Sequence, residues 1–252
     1  MYPRVMKWGS APELIGPRHI YRVNRLASLL TSALPSGNVL EAGCGAGRLT
    51  ELLASRGYRV TAVDASKEFV EHARARVEAL GLSERVEVLQ QDLEHLRLQD
   101  ESFDGATCGD VLEHVPDDRA AVAAIARTLK PGGVLALTVP AGADRLDWLD
   151  EWAGHHRRYE EPGLRALLED CGLRVERLLR WGFPFLSWYE RFVQRPGLAR
   201  AGSAPDGEHG TLARLARSGA STAAFGTLFR VDRLFEGRLD KGTAFLALAR
   251  KP

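Results

Sequence analysis

Apolar positions along the chain switch between two spacings: short runs of consecutive or alternating aliphatics, and longer stretches where they recur every three or four residues. The first kind predicts strands at Val39–Ala42, Arg59–Val63, Val86–Gln90, Gly105–Cys108, Val134–Val139, Leu173–Leu179 and Ala244–Ala249. The second predicts helices between them. Residues 12–34 put Ile20, Val23, Leu26, Leu29 and Leu30 on one face, and Leu49, Leu52 and Leu53 begin another stripe. Ser66 can cap a helix that turns Phe69, Val70, Ala73, Val77 and Leu80 inward, with Gly81 just past its end. Asp117 to Leu129 repeats this plan with Ala121, Val122, Ile125, Ala126 and Leu129 inward, and Lys130-Pro-Gly-Gly133 stops it. Pro162 opens a further helix with Leu164, Leu167, Leu168 and Cys171 on one side and Gly172 as its stop.

Strand and helix alternate from about residue 38 to residue 180, the order that builds a parallel sheet covered on both faces. The expected fold is therefore α/β: a Rossmann-like, seven-stranded, mostly parallel sheet whose final strand runs antiparallel. A single domain over 1–252 divides into an N-terminal helical cap (1–34), a core (35–181), a helical insertion or lid (182–240) and the last strand (241–252). The insertion combines an aromatic-rich stretch (Phe183, Phe185, Leu186, Trp188, Phe192, Val193) with a Gly/Ala/Pro-rich stretch, Arg195 to Gly210, expected to be mobile. Leu212, Leu215, Phe225, Leu228, Phe229, Val231, Leu234 and Phe235 then mark a second helical stretch.

A chain of 252 residues with 45% hydrophobic content can bury one substantial core. Its net charge of +1 argues against wrapping nucleic acid by overall electrostatics. Acids outnumber bases in residues 1–150 and the reverse holds in 151–252, so the second part is mildly basic. The three cysteines, Cys44, Cys108 and Cys171, are widely spaced and indicate neither a disulfide framework nor a zinc site. With no apolar leader segment at the N-terminus and no apolar run of membrane-spanning length, a cytoplasmic protein is expected.

The most specific chemistry begins where the first strand ends. Glu41 closes it, and Gly43, Gly45 and Gly47 follow, a spacing that lets the chain turn sharply and bring its backbone against a ligand at a helix start. Asp64 ends the second strand about 20 residues beyond the loop, where a carboxylate can accept from both hydroxyls of a ribose. Asp92 follows the third strand, so three acids converge on one sheet edge. They suit a ligand with ribose, amines and positive charge better than a pyrophosphate. The Gly-x-Gly-x-Gly spacing also departs from the Gly-x-Gly-x-x-Gly of an NAD(P)-dependent oxidoreductase, which stays as the rival reading.

Together with Phe103-Asp-Gly-Ala-Thr-Cys-Gly-Asp-Val-Leu-Glu-His-Val-Pro-Asp117 and Leu129-Lys-Pro-Gly-Gly-Val-Leu, the segment Glu41-Ala-Gly-Cys-Gly-Ala-Gly47 resembles the class I S-adenosylmethionine-dependent methyltransferases. Within these, it is similar to the group that includes the ubiquinone and menaquinone biosynthetic enzymes, over roughly residues 38–140. The resemblance implies S-adenosyl-L-methionine as cofactor and S-adenosyl-L-homocysteine as product. It implies that Gly43, Gly45 and Gly47 line the methionine part, that Glu41 orients its amino group, and that Asp64 binds the ribose. Asp92 would take the adenine amine with Leu93 beside the ring, and Gly109 would offer backbone at the methionine end. The family usually has Asp at the position of Glu41, which alters reach slightly. Asp92 also reads as a helix-capping residue, and Glu113 and His114 as residues that fix a helix start.

Past the fifth strand, Trp148-Leu-Asp-Glu-Trp-Ala-Gly-His-His-Arg-Arg-Tyr159 gathers histidines, arginines and aromatics at the edge where an acceptor belongs. His155 and His156 are both candidates for a general base. Arg158 and Tyr159 are candidates for binding an anionic group on the acceptor; alternatively Arg157 and Arg158 pair with Asp147, Asp150 or Glu151 and pin the loop. No metal is expected. His72, His95 and His209 read as ordinary, His19 reaches the pocket only if the N-terminal helix folds over it, and Arg22 and Arg25 are weaker candidates on that helix. Arginines outnumber acids between Arg180 and Arg233, beside Phe and Trp, which fits either peripheral membrane contact through 182–240 or a dimer contact. The expected activity is methyl transfer to a hydroxyl, or else an amine or carbon, of a small-molecule substrate by a monomer or homodimer with no nucleic acid partner. A non-catalytic cofactor-binding protein is the remaining alternative.

Overall fold

Seven strands form one sheet in the order β3-β2-β1-β4-β5-β7-β6, as a computed structural model describes them over residues 16–196, 219–237 and 240–252. They are β1 (Asn38–Ala42), β2 (Arg59–Asp64), β3 (Val86–Gln90), β4 (Phe103–Gly109), β5 (Leu129–Pro140), β6 (Arg174–Trp181) and β7 (Ala244–Arg250). The pairings among β1 to β5 are parallel, and β7 runs antiparallel to both β5 and β6. This is the mostly parallel sheet with an antiparallel last strand that the residue pattern predicts.

Because successive strand residues point to opposite faces, each strand feeds two separate cores. Val39, Val134 and Leu246 join Leu26, Leu30, Leu53 and Val70 on the face covered by α1 (Pro17–Ala33), α2 (Arg48–Ser55) and α3 (Lys67–Ala79). Their neighbours Leu40, Leu135 and Phe245 join Ile125, Leu164 and Leu168 on the face covered by α4 (Asp118–Thr128) and α6 (Glu161–Asp170). A near-continuous apolar strand such as Val134–Val139, all of it buried, is what a sheet covered on both sides requires.

The helix signals act as read. The Ser66 hydroxyl accepts from the Phe69 N–H, and the Asp117 carboxylate does the same for Ala120 N–H at the start of α4. Three details differ. Leu80 lies at the C-cap of α3, past the last inward turn, and is 50% exposed. On α1, Tyr21 is buried and Ile20 only half-buried. β5 begins at Leu129, directly after α4: Leu129 pairs with Phe103 and Val134 with Gly105, so Lys130–Gly133 bulges out of the ladder instead of preceding it.

Between β6 and β7 lie α7 (Phe185–Tyr189), a π-helical turn (Glu190–Gln194) and α8 (Gly219–Asp232). Tyr189, Phe225 and Phe229 pack ring against ring, and Phe229 meets Tyr21 of α1 at 5.6 Å between centroids. Leu186, Tyr189 and Phe229 are thus core shared by the insertion and the N-terminal helix, whereas Trp188 and Phe192 are exposed. The mobile stretch expected within 195–210, together with His209, Leu212 and Leu215, falls wholly or largely outside the described residues. No described helix is long and apolar enough to cross a membrane.

Candidate active site

The C-terminal ends of the parallel strands form one edge, and the glycine loop sits on it. Gly43, Gly45 and Gly47 have φ of +77°, +51° and +79°, backbone that side chains resist. A Cβ at Gly43 collides with Val111, whereas at Gly45 it meets nothing within 4 Å, so that side of the loop is an open cradle. Gly47 caps α2 with no side chain on its first N–H groups.

Asp64 fastens this loop to its neighbour. One carboxylate oxygen accepts from Gly45 N–H and the other from Ser66 N–H, each at 2.9 Å. Each oxygen keeps a further lone pair for hydroxyl donors. Glu41 lies beneath the loop, buried, accepting from the Thr50 hydroxyl at 2.5 Å. Burial pushes its carboxyl up to about 8 despite the Thr50 bond, with the Asp64 charge adding to the rise. Asp92 behaves as a cap: one oxygen accepts from Glu94 N–H at 3.0 Å, and the side chain is half exposed. Leu93 is buried among the core residues of the second face.

The N-terminal helix does fold over this edge, which brings in residues that sequence reading passed over or ranked low. Arg22 donates to the Gly109 carbonyl and pairs with Asp110 at 3.2 Å. Arg18 joins the same carboxylate at 3.1 Å and reaches Glu190 of the insertion at 2.6 Å. Asp110 has φ of +53° and also accepts from the Thr138 hydroxyl. Burial pushes its carboxyl up, but the arginines beside it more than reverse this and hold it well below the usual carboxylate range. His19 is 3.0 Å from Arg22, and burial, followed by that positive charge, lowers it to about 3. Gly109, expected to offer its backbone to the cofactor, has its carbonyl on Arg22.

The segment expected to face an acceptor follows β5. His155 donates from Nδ1 to the fully buried Asp150 at 2.7 Å, and Arg158 Nε reaches both oxygens of Asp150 at 2.8 and 2.9 Å. Burial pushes the Asp150 carboxyl up, but the bonds from His155, Arg158 and Asp147 N–H hold it down at about 2. Asp150 also belongs to the capping box of α5 (Trp148–Ala153), so a six-residue helix orients the histidine. His156, by contrast, is exposed, and its backbone N–H donates to the Glu113 carbonyl. Of the two histidines, only His155 turns inward.

Arg158 and Tyr159 have their polar groups committed inside the protein. Arg158 pins the loop through Asp150 and donates to the Ala141 carbonyl, and the buried Tyr159 hydroxyl donates to Asp118 at 2.8 Å. Arg157 goes to Asp118 and the Pro116 carbonyl rather than to the acids of its own loop.

The His114 ring stands edge-on to His155 at 4.7 Å, and its Nδ1 is 3.3 Å from the Gly154 carbonyl. Burial, reinforced by His155, lowers His114 to about 4, so it is neutral near pH 7. Glu113 is buried, and burial together with nearby Asp110 raises its carboxyl well above the usual range. Glu113, His114 and His155 each bring one ligand atom to within 4.8 Å of the others, a set able to hold a metal ion. The sequence pattern gave no hint of this, because the first two residues and the third come from segments about 40 residues apart.

The glycine cradle thus lies on the C-terminal edge of a Rossmann-like sheet, with Glu41 buried beneath it, Asp64 fastening it and the basic face of α1 folded across the edge. The Methyltransferase domain family matches residues 40–137. The chain belongs to the S-adenosylmethionine-dependent methyltransferases, and its cofactor is S-adenosylmethionine. It is 35% identical over 185 residues to a ubiquinone biosynthesis O-methyltransferase of Xanthomonas axonopodis pv. citri, covering 68% of this chain and 77% of that one. A protein of the same name from Xanthomonas campestris pv. campestris is 41% identical over 134 residues, 52% of this chain and 55% of the relative, so the match spans about half that relative's length. Among solved structures, the cyclase SpnF shares 22% identity with a TM-score of 0.65 over 100% of this chain and 87% of its own. A 1,6-didemethyltoxoflavin-N1-methyltransferase of Burkholderia thailandensis, with 1,6-didemethyltoxoflavin and S-adenosylhomocysteine bound, shares 21% with a TM-score of 0.58 over 91% of this chain and 78% of its own. At those identities the likeness is one of fold.

Proposed function

We propose that the protein transfers a methyl group from S-adenosylmethionine to a hydroxyl of a small metabolite, with His155 as general base and Asp150 as the residue that positions it. The observation that carries this reading is the 2.7 Å bond from His155 Nδ1 to a fully buried carboxylate. That bond selects the tautomer whose Nε2 is free to take a proton. The name of the relatives, ubiquinone biosynthesis O-methyltransferase, supports oxygen over nitrogen or carbon as the acceptor.

When bound, the cofactor supplies an electrophilic methyl on a positively charged sulfur. In this reading Gly43, Gly45 and Gly47 hold its methionine end and Glu41 faces the amino group from below. Asp64 takes the ribose hydroxyls and Asp92, through the lone pairs its cap leaves free, the adenine amine. Arg22 supplies positive charge at the methionine end. Aligning the acceptor oxygen with the C–S bond is the main rate contribution, of a size that effective molarities of about 10⁵ M express. His155 receives the hydroxyl proton as the O–C bond forms, worth about 10²–10⁴-fold. A cytoplasmic enzyme acting as monomer or homodimer, without nucleic acid, is consistent with the near-neutral charge.

A second reading has one observation in its favour: Glu113 Oε2 is buried with no hydrogen-bond partner, within the set formed with His114 and His155. A divalent ion there would satisfy that oxygen and acidify a bound hydroxyl in place of a free base. One experiment tests both. Labelled-methyl transfer to a panel of phenols and catechols is measured for wild type, His155→Ala and His156→Ala, before and after chelation. Base catalysis predicts a fall of about 10²–10⁴-fold in kcat for His155→Ala, near-wild-type activity for His156→Ala, and indifference to chelator. Loss on chelation with rescue by a divalent ion transfers the role to the metal. Transfer to no acceptor, despite cofactor binding, rejects the enzymatic reading.

A further inference from the structure

The glycine loop takes its shape from two directions. Its first half is held by the end of β2: the Gly43 and Cys44 N–H groups both donate to the Val63 carbonyl at 2.9 Å, and the Gly45 N–H donates to Asp64 at 2.9 Å. Its second half turns on the peptide unit between Ala46 and Gly47. The N–H of that unit donates to the Cys44 carbonyl at 3.0 Å, and its carbonyl accepts from Arg76 Nε of α3, also at 3.0 Å.

α3 lies directly against this half of the loop. A Cβ on Gly47 would stand 3.1 Å from the Ala73 Cβ and 3.2 Å from its Cα, one helical turn before Arg76. The guanidinium is itself aimed by a second partner: Arg76 Nη1 donates to Glu51 Oε2 of α2 at 3.0 Å, and Arg48 braces the same carboxylate oxygen at 2.9 Å. The Arg76 and Glu51 side chains are only 22% and 23% exposed, so water competes weakly for the pair.

We propose that Arg76 is a positioning residue for the cofactor, fixing the Ala46–Gly47 peptide unit so that the loop keeps its open, ligand-ready shape. This rests on the reading that the loop holds the methionine end of S-adenosylmethionine. Glycine at 45 and 47 permits the positive φ angles but leaves the backbone free to adopt others. Such a loop binds well only while groups outside it select one shape. If the competent shape is held for a fraction of the time, the apparent dissociation constant rises by the inverse of that fraction. Arginine suits the task because its fork reaches the Ala46 carbonyl and Glu51 at once, whereas lysine is a point charge that serves one acceptor at a time.

The test is S-adenosylhomocysteine binding to the full chain by calorimetry, with amide hydrogen exchange over residues 44–48. Arg76→Met keeps the stem and removes the donors; it should raise the dissociation constant about five- to tenfold. Exchange at the Gly47 N–H should quicken in the free protein and return to the wild-type rate at saturating ligand. Arg76→Lys should recover part of the lost affinity. Arg74→Met is the matched control: Arg74, on the same helix, donates to the Val88 carbonyl of β3 at 3.1 and 2.8 Å rather than to the loop, and its loss should leave the affinity unchanged. Gly45→Asn tests the loop itself, because asparagine tolerates positive φ and its side chain would enter the open cradle, weakening binding. Unchanged affinity in Arg76→Met beside weakened affinity in Gly45→Asn overturns the role of Arg76 and leaves the cradle standing. Unchanged affinity in both variants removes the cradle reading and this proposal with it. Equal weakening by Arg74→Met and Arg76→Met shows a general loosening of α3, and overturns the proposal too.

Discussion

Glu41 is a carboxyl whose burial raises it from 4.5 to about 8, and this has a measurable sign. A carboxyl with a folded pKa above its unfolded value binds more protons folded than unfolded, so its contribution to stability falls as pH rises from about 4.5 to about 8. Glu41→Gln removes that dependence. The melting temperature of the variant minus that of wild type should therefore grow as pH rises from 5 to 8, by about 3 °C per pH unit. A flat difference across that range would show that the carboxyl titrates normally. At this same scale the glycine loop was legible, because a positive φ restricts the residue type, and so was the position of Asp64 at a strand end, where its carboxylate meets the Gly45 and Ser66 N–H groups. Asp110, Arg18 and the centrality of Asp150 were not. Their roles depend on which charges the fold brings alongside them, and Arg18 lies 92 residues from Asp110.

At the scale of elements, the insertion is held by caps and pairs more than by helix propensity. α7 has five residues, too short to persist alone, and its first N–H groups are satisfied by Asp232 from the end of α8. Asp232→Ala leaves two donors without their acceptor and should cost about 1–3 kcal/mol, a fall of about 2–12 °C in melting temperature. Limited proteolysis should then cut within 182–240 before the sheet is attacked; unchanged cleavage would mean that aromatic packing alone holds the segment. The strands were readable because each needs only local alternation and a nearby turn signal. The early start of β5 was hidden, since a Pro-Gly-Gly sequence reads as a stop when a bulge against Phe103 is not in view.

Across the whole molecule, α1, the end of β4 and the insertion meet at the edge that carries the glycine loop, tied by Arg18 to Asp110 and Glu190. A ligand seated there bears on several elements at once and should stabilise the whole chain. At one hundred times its dissociation constant, S-adenosylhomocysteine adds about 2.7 kcal/mol, a rise of about 5–11 °C in melting temperature by scanning calorimetry. NADH at equal concentration should leave the transition where it is, and a shift with NADH would reopen the dehydrogenase reading. Fold class and cofactor were visible in the sequence because the glycine loop and strand-end acids recur at fixed spacing. The neighbours of His155 were not, because they join Asp150 and Arg158 of its own segment to Glu113 and His114 from about 40 residues earlier.

β7, which lies between β5 and β6, also sets an order of events during synthesis. The ribosome delivers β6 well before the strand that bonds it to the rest of the sheet, with 182–240 emerging in between. At about 5–20 residues per second, β6 waits for several seconds with no partner. Its exposed positions are charged, with Arg174, Glu176 and Arg177, the kind of composition that keeps a waiting strand from pairing with a stranger.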